Sequence, residues 1–360
     1  MSVDSTAFNA SEAVPGQRRG LGRFGHVFGA LDLGTHNCRL LVAKPTVSGF
    51  RVIDAFSRVV RLGEGLGARG ALSETAMLRT LAALKVCAQK MAQRGVTRAR
   101  AVGTEACRQA SNRAEFLDRV LGQTGIAIEV ISSGEEASLA LSGCAPPLDY
   151  EHRHALVFDI GGGSTELMWL KLERNRAPSL IECLSLPCGV VSLTERWDTA
   201  HDAVQRYEDV VAELSAQLAA FEDRHRLSAE VAQGRVQMLG TSGTVTTLAA
   251  VLLDLRRYDR AVVDGRWFDF GDAIQVARHI AAMTHDERAS HACIGADRAD
   301  LMIAGCAIVD AIYRAWPATH LRVADRGVRE GMLNELMRAA DREGRRRGRG
   351  PGGPHGFDLF

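Results

Sequence analysis

Hydrophobic positions follow two alternating periods along the chain, one typical of strands and one typical of helices. In the first half, the pattern predicts helices over 73–94 and 114–121 and strands over 99–103 and 126–131. In the second half it predicts, in chain order, strands at 156–159, 166–171 and 180–186, a helix near 201–224, a strand at 236–239, helices near 245–256, 271–283 and 297–316, a strand at 321–323 and a helix over 329–340. This alternation predicts an α/β fold in which helices cover mixed sheets.

One predicted strand runs directly into a glycine-rich turn. In the segment 154–168, HALVFDIGGGSTELM, an apolar run delivers Asp159 to Gly161, Gly162, Gly163 and Ser164. Glycines let backbone N–H groups approach an anion, and a carboxylate at the strand end can hold a cation that phosphate oxygens share. An ordinary β-hairpin also uses glycines, so this segment alone favours neither interpretation.

A second copy of the pattern lies earlier in the chain. The segment 28–44, FGALDLGTHNCRLLVAK, again ends an apolar strand at an acid, Asp32, followed by Gly34 and Thr35 and by a second apolar strand at 40–43. Two such hairpins about 127 residues apart indicate an internal duplication. Each copy would open its own α/β domain, and both would direct an acid and backbone amides at one cleft.

Duplicated loops of this form resemble those of the actin, heat-shock chaperone and sugar kinase superfamily. Within it, the chain resembles the exopolyphosphatase and guanosine pentaphosphate phosphohydrolase (Ppx/GppA) family over about 29–337. The first loop has Thr35 and His36 where that family more often has Ser and Asn. The motifs that carry the resemblance are, in order, DLGTHNCRLLVA, RLGEGL, GTEACR, VISSGEEASLA, FDIGGGSTEL, LGTSGTVTTLAA and DRGVREGML.

The resemblance implies an architecture and an assembly. We expect two actin-like (ribonuclease H-like) domains with mixed sheets flanked by helices, and an active site in the interdomain cleft. The first domain would span 26–150 and the second 151–328. A helix over 329–341 would pack back on the first domain, and the protein would form a homodimer.

A pair of glutamates offers a candidate general base. In VISSGEEASL (130–139), a strand ends in Ser-Ser-Gly and a helix begins with Glu135 and Glu136. Acids in a first helical turn are also good capping chemistry, so spacing alone does not distinguish catalysis from capping. The resemblance aligns Glu136 with the residue that activates water and leaves Glu135 as its structural neighbour.

Two further motifs suggest phosphate contacts. GTEACR (103–108) supplies Arg108, suited to bidentate phosphate binding, although an arginine lying along a helix start is the plainer explanation. Arg58 and Arg61 are weaker candidates. In MLGTSGTVTT (238–247), a strand breaks into a helix start, which binds anions through free N–H groups or is simply capped by Ser and Thr. The phosphate-binding candidates are Gly34, Thr35, Asn37, Arg108, Gly161, Gly162, Gly163, Ser164, Gly240, Ser242, Gly243 and Thr244.

The resemblance also implies a divalent cation. Mg²⁺, or another divalent ion, would be held near Asp32, Asp159 and Glu166. The DRGVREG motif (325–331) is interpreted as structural, with a connection to the cleft. A P-loop enzyme is excluded, because no G-x-x-x-x-G-K-[ST] motif occurs.

Composition limits the domain number, the binding partners and the cellular compartment that we expect. A chain of 360 residues exceeds what one core usually serves, and a net charge of +1 gives no general attraction to nucleic acid. No C-x-x-C pair occurs among eight cysteines, and no stretch has the form of a signal peptide or a membrane span, so we expect reduced thiols in a cytoplasmic protein. The segments 1–25 and 342–360, the latter rich in Arg and Gly, are predicted to be disordered.

Together with the resemblance, these observations predict a phosphoanhydride hydrolase, and the resemblance implies that it uses a Glu-activated water and Mg²⁺. The substrate would be inorganic polyphosphate or the 5′ phosphate of guanosine pentaphosphate, which would yield guanosine tetraphosphate. A small-molecule kinase of the same superfamily and a non-catalytic nucleotide- or alarmone-binding protein remain alternatives. The sequence does not rank the two substrates.

Overall fold

A computed structural model describes residues 22–196 and 203–348. The N-terminal part opens with a short 3-10 helix, Gly22–Gly25, and continues with β1 (Phe28–Leu33), β2 (Asn37–Thr46), β3 (Gly49–Val59), α1 (Leu66–Arg69), α2 (Glu74–Gln93), β4 (Arg98–Gly103), α3 (Glu105–Gln109), α4 (Arg113–Thr124), β5 (Glu129–Val130) and α5 (Ser133–Cys144).

The C-terminal part repeats the alternation of strands and helices. Its elements are β6 (His154–Ile160), β7 (Thr165–Lys171), β8 (Ser179–Leu186), α6 (Val190–Arg196), α7 (Ala203–His225), α8 (Leu227–Ala232), β9 (Val236–Thr241), α9 (Gly243–Leu252), α10 (Arg260–Val263), β10 (Trp267–Asp269), α11 (Phe270–Ala282), α12 (His285–Ser290), α13 (Met302–Ala315), β11 (His320–Ala324) and α14 (Val328–Gly348). The predicted α/β class with mixed sheets flanked by helices is confirmed.

The two sheets share one topology. The N-terminal sheet has the order β3-β2-β1-β4-β5, and the C-terminal sheet has the order β10-β11-β9-β6-β7-β8. In each sheet a central strand, β1 or β6, pairs antiparallel with the next strand and parallel with the strand on its other side. Apart from the extra edge strand β10, the sheets correspond strand for strand, as an internal duplication predicts.

Alternate residues of β1 face two different cores. Leu31 and Leu33 pack with α2 residues in a core that belongs to the N-terminal sheet alone. Phe28 and Ala30 belong to a second core that also contains Val157 of β6 and residues of β7, α5 and α14. This shared core joins the two sheets, and each fully buried large apolar side chain in it contributes about 1.5–3 kcal/mol.

Helix α14 closes the chain against the N-terminal sheet. It packs along α5 and contacts β1, β4 and the opening 3-10 helix. Near its end, Glu343 accepts a hydrogen bond from Arg98 at 3.0 Å. The helix continues to Gly348, so the prediction of disorder from 342 is wrong for 342–348, where helix-forming Arg and Glu residues extend a helix that is tied to the sheet. The prediction of disorder over 1–25 likewise fails at Gly22–Gly25, and the rest of both tails lies outside the described residues.

Short and edge elements depart most from the hydrophobic pattern. The strand expected at 126–131 is reduced to two residues of β5, and the helix expected at 297–316 starts only at Met302. Strand β3 has no clear apolar alternation because it lies at a sheet edge, where none of its residues is fully buried. No described helix is both long and apolar enough to cross a membrane. All eight cysteines are free thiols, as predicted.

Candidate active site

Two matching hairpin loops form the floor of the site. Asp32 and Asp159 stand at the ends of the central strands β1 and β6. In the first loop the Gly34 N–H donates to the Asn37 carbonyl at 2.9 Å, and in the second the Gly161 N–H donates to the Ser164 carbonyl at 2.9 Å. The sequence duplication is therefore also a duplication of backbone hydrogen bonding.

The loops touch each other across the molecule. A Cβ atom on Gly162 would lie 3.0 Å from the Thr35 Cβ, and one on Gly163 would lie 2.9 Å from the Thr35 Oγ1 and 2.8 Å from the Glu105 Cγ. A side chain at either position would therefore force these neighbours to shift. The carbonyls of Gly161 and Gly162 accept bonds from the first residues of α6, at 3.0 Å from the Val190 N–H and 2.8 Å from the residue that follows it. These bonds fix the backbone of the second loop.

A third loop approaches from the turn between β9 and α9. Ser242 has φ of +101°, a left-handed backbone conformation that is uncommon for serine. Its Oγ is buried and has no hydrogen-bond partner among the described residues. A strained, unsatisfied serine at a helix start is a feature that functional sites retain. Gly240 serves packing instead, because a Cβ there would lie 2.8 Å from the Phe158 ring.

The three loops surround one cavity of about 370 Å³. Both sheets contribute to its walls, as the predicted interdomain cleft requires. Of the predicted site residues it brings together Asp32, Gly34, Thr35, Asn37, Glu136, Asp159, Gly161, Gly162, Gly163, Ser164, Ser242, Gly243 and Thr244. Arg108, Glu166 and Gly240 do not line it.

Glu136 enters the cavity from the first turn of α5, which Ser132 caps by accepting the Glu135 N–H at 3.2 Å. Its Oε2 accepts a hydrogen bond from Arg108 Nη1 at 2.8 Å. Burial, the largest effect, and the charges of Glu166 and Asp32 raise the pKa of Glu136 to about 8, against the opposing effect of Arg108. Such a carboxyl group is suited to accept a proton near neutral pH. Glu135 instead pairs with Arg100.

Arg108 is placed differently from the phosphate contact that the motif suggested. Its guanidinium donates to Glu136, to the Ile131 carbonyl at 3.0 Å and to Glu105 at 2.7 Å. Because its guanidinium group is bonded to these three partners, Arg108 holds Glu136, the candidate base, in position without lining the cavity itself. The weaker candidate Arg58 stacks over Phe56, 5.2 Å from the ring centre, and does not line the cavity either.

Glu166 is buried beneath the second loop and stabilises it through hydrogen bonds. It is 3% exposed, and its Oε1 accepts hydrogen bonds from Ser164 Oγ at 2.7 Å and Ser185 Oγ at 3.0 Å. This arrangement orients Ser164, which lines the cavity. Because Glu166 does not line the cavity, its position does not support a direct role as a metal ligand.

The two aspartates fit a divalent cation. Burial, the largest effect, and the charges of Glu166 and Asp32 together raise the pKa of Asp159 to about 7. Burial also raises the pKa of Asp32, against the opposing effect of Arg39. Carboxylate oxygens that repel each other in one cavity are the ligands that Mg²⁺ prefers. Within 22–196 and 203–348 no three metal-ligating side chains cluster, so water and substrate oxygens would complete the coordination.

Sequence reasoning missed the cationic side of the cavity. Arg39, Arg298 and Arg329 line it, and none has a carboxylate within 4.0 Å among the described residues. Guanidinium groups that line a cavity without a carboxylate partner are suited to bind an anion. The signal for Arg39 was available, because the hairpin register places it opposite Asp32. Arg329 lies in the DRGVREG motif, whereas Arg298 does not belong to any of the motifs described above.

Two Asp-ended glycine loops, unpaired arginines and a buried carboxyl group meet at one cleft of this α/β protein. These features define a protein of the phosphate-binding class. The model of the Ppx/GppA phosphatase family matches residues 41–340. Exopolyphosphatase 2 of Mycobacterium tuberculosis is 31% identical over 295 residues, which are 79% of this chain and 89% of that protein. The chain therefore belongs to the Ppx/GppA phosphatase family.

Solved structures agree with this assignment. The Aquifex aeolicus member of the Ppx/GppA family superposes with a TM-score of 0.68 at 26% identity, over 87% of this chain and 98% of that one. An exopolyphosphatase from Cytophaga hutchinsonii superposes with a TM-score of 0.77 at 24% identity over the same shares, which supports the fold alone. The predicted fold of two actin-like domains is thereby confirmed.

Proposed function

We propose that the protein hydrolyses the terminal phosphoanhydride bond of inorganic polyphosphate. The observation that carries the proposal is the cavity itself, where unpaired Arg39, Arg298 and Arg329 face two Asp-ended glycine loops and the buried carboxyl group of Glu136. A polyanion of repeating phosphates matches this lining, and its charge would satisfy the arginines. The mycobacterial relative, named an exopolyphosphatase, supports this substrate class.

Glu136 is the proposed general base. In its ionised form it would take a proton from a water as that water attacks the terminal phosphorus, while the bond to the bridging oxygen breaks and the shortened chain leaves with that oxygen. Backbone amides of Gly162 and Gly163 would stabilise charge on the equatorial oxygens. Arg108 acts as a positioning residue, since it contacts Glu136 and not the cavity.

Asp32 and Asp159 are the proposed holders of Mg²⁺, which when bound would neutralise charge on the phosphates. Without it, two carboxylates would face a polyanion in a buried site, an unfavourable arrangement. Thr35 and Ser164 add hydroxyl donors from the same loops.

The 5′ phosphate of guanosine pentaphosphate is a second proposed substrate. Its terminal phosphates would occupy the same loops, and the cavity wall also includes apolar Val190, Leu301 and Met302, against which a nucleoside could pack. This release would yield guanosine tetraphosphate.

Phosphate release from tripolyphosphate and from guanosine pentaphosphate, measured side by side with Mg²⁺ and without any acceptor, tests the proposal. We expect orthophosphate from tripolyphosphate at a steady rate. Phosphate transfer that needs an added hydroxyl acceptor would show a kinase instead. Binding without turnover of either compound would show a nucleotide- or phosphate-binding protein.

A further inference from the structure

His36 occupies the first loop in an unusual state. Its side chain is 8% exposed and lines the cavity, yet its Nε2 has no hydrogen-bond partner among the described residues. The backbone around it is fixed, because the His36 carbonyl accepts the Val60 N–H at 2.8 Å and the Arg61 N–H at 2.9 Å. A buried, unsatisfied polar atom on a rigid loop suggests that a ligand supplies the missing partner.

Charges around this imidazole are mainly positive. Arg39 on β2, Arg61 after β3 and Arg298 before α13 all act on it, and Asp297 opposes them. Burial, the largest effect, and the three guanidinium groups together lower the pKa of His36 to about 4. In the free protein the ring is therefore neutral at pH 7.

We propose that His36 takes up a proton together with the substrate and then donates a hydrogen bond from its Nε2 to a phosphate oxygen. The inference rests on the proposed function, because it requires an anionic phosphate in this cavity. The proton comes from solvent and binds the ring, and no covalent bond forms or breaks.

The physical reason is charge compensation. Phosphates that bind Arg39 and Arg298 cancel the repulsion that keeps the ring neutral, and they provide an acceptor for the new N–H. Binding then raises the pKa of His36. By linkage, the affinity for the phosphate ligand rises as the pH falls, between the pKa of the complex and that of the free protein.

Proton uptake can be measured directly with methylenediphosphonate, a phosphate analogue that cannot be cleaved. We would titrate it into the whole protein with Mg²⁺ at pH 7, in buffers of different ionisation enthalpy, and count the protons taken up from the buffer dependence of the binding heat. The same measurement on His36→Asn, whose amide cannot titrate, is the matched control. The protein should take up roughly one proton more per ligand than the variant.

Equal proton uptake by the protein and the variant would overturn the inference. In that case binding persists, so the proposed function survives. No binding of the analogue at all would overturn the proposed function as well. Should His36→Asn melt early, His36→Gln takes its place in the comparison.

A kinetic measurement gives an independent check. The ratio of KM for His36→Asn to KM for the unaltered protein, with tripolyphosphate, should fall by up to about tenfold per pH unit as the pH rises from 6 to 8. The substrate's own titration cancels in this ratio. A ratio that does not change with pH contradicts the inference.

Discussion

At the scale of single residues, the environments of two adjacent glutamates separate their roles. Glu136 is buried, faces the cavity and accepts a hydrogen bond from Arg108, whereas Glu135 pairs with Arg100 on the outer side of α5. Adjacent positions on a helix point about 100° apart, so one residue can serve the site while the other serves the helix surface. The resemblance to known relatives indicated Glu136 as the general base, and the geometry supports that assignment.

Replacing each glutamate in turn tests the difference. Glu136→Gln should lower kcat by roughly 10²–10⁴ because it removes the proposed general base. Glu135→Gln should leave kcat within a few-fold of the original. Steady-state phosphate release measures both, and thermal unfolding checks that both variants are folded. Equal losses from the two substitutions would contradict the assignment.

The same carboxyl predicts the pH dependence. The pKa of Glu136 is raised from its ordinary value to about 8, so the ionised, proton-accepting form is scarce in acid and grows as the pH rises. We therefore expect kcat to increase up to about pH 8 and then to level off. A pH–rate profile of the residual activity of Glu136→Gln should lack this limb. If the variant shows the same rise of kcat with pH, the rise belongs to the titration of another group.

At the scale of elements, the crossing of α5 and α14 sets the position of the helical turn that carries Glu136. Cβ atoms on Gly143 and Gly331 would overlap the carbonyl oxygens of Gly327 and Leu139, so the two backbones are in direct contact. Because Glu136 lies in the first turn of α5 and Arg329 in the first turn of α14, this contact fixes the candidate base relative to one cavity arginine.

Gly331→Ala should therefore destabilise the protein by about 3 kcal/mol, since the helices must separate to admit the methyl group. Gly122→Ala in α4 is the matched control, because no atom lies within 4 Å of the added Cβ. That change should stabilise by about 0.5–1 kcal/mol through helix propensity alone. Denaturant unfolding of both variants measures the contrast, and equal effects would refute the close crossing.

Local sequence was enough to predict the elements that carry the loops. The hairpins after Asp32 and Asp159 were found because apolar strands, glycines and polar turns occur in order along the chain. Side-chain direction was not predictable in the same way. Arg108 and Glu166 have the right chemistry for phosphate and metal, but tertiary packing directs them to Glu136 and Ser164. Arg298 reaches the cavity only through the fold, so no local pattern could indicate it.

At the scale of the whole molecule, one core spans both sheets and holds the two Asp-ended loops in register. Residues of β1, β6, α5 and α14 share this core, so the floor of the cavity is a packed junction of both halves. The aspartates come together only because the duplicated sheets face each other. A cation between the halves would therefore depend on both of them.

Metal removal tests that dependence. EDTA should abolish phosphate release, and added Mg²⁺ should restore it. Asp32→Asn and Asp159→Asn should each raise the Mg²⁺ concentration needed for half-maximal rate, because each removes one charged ligand. Full activity in excess EDTA would refute the proposed metal role.

The central claim, attack of a water on the terminal phosphorus in this cleft, is tested most directly by a single turnover in ¹⁸O-labelled water. With tripolyphosphate and Mg²⁺, mass spectrometry should find one ¹⁸O atom in the released orthophosphate and none in the remaining pyrophosphate. Glu136→Gln should slow the appearance of that label in proportion to its loss of kcat. Label in the pyrophosphate, or an unchanged rate of labelling in Glu136→Gln, would contradict the account.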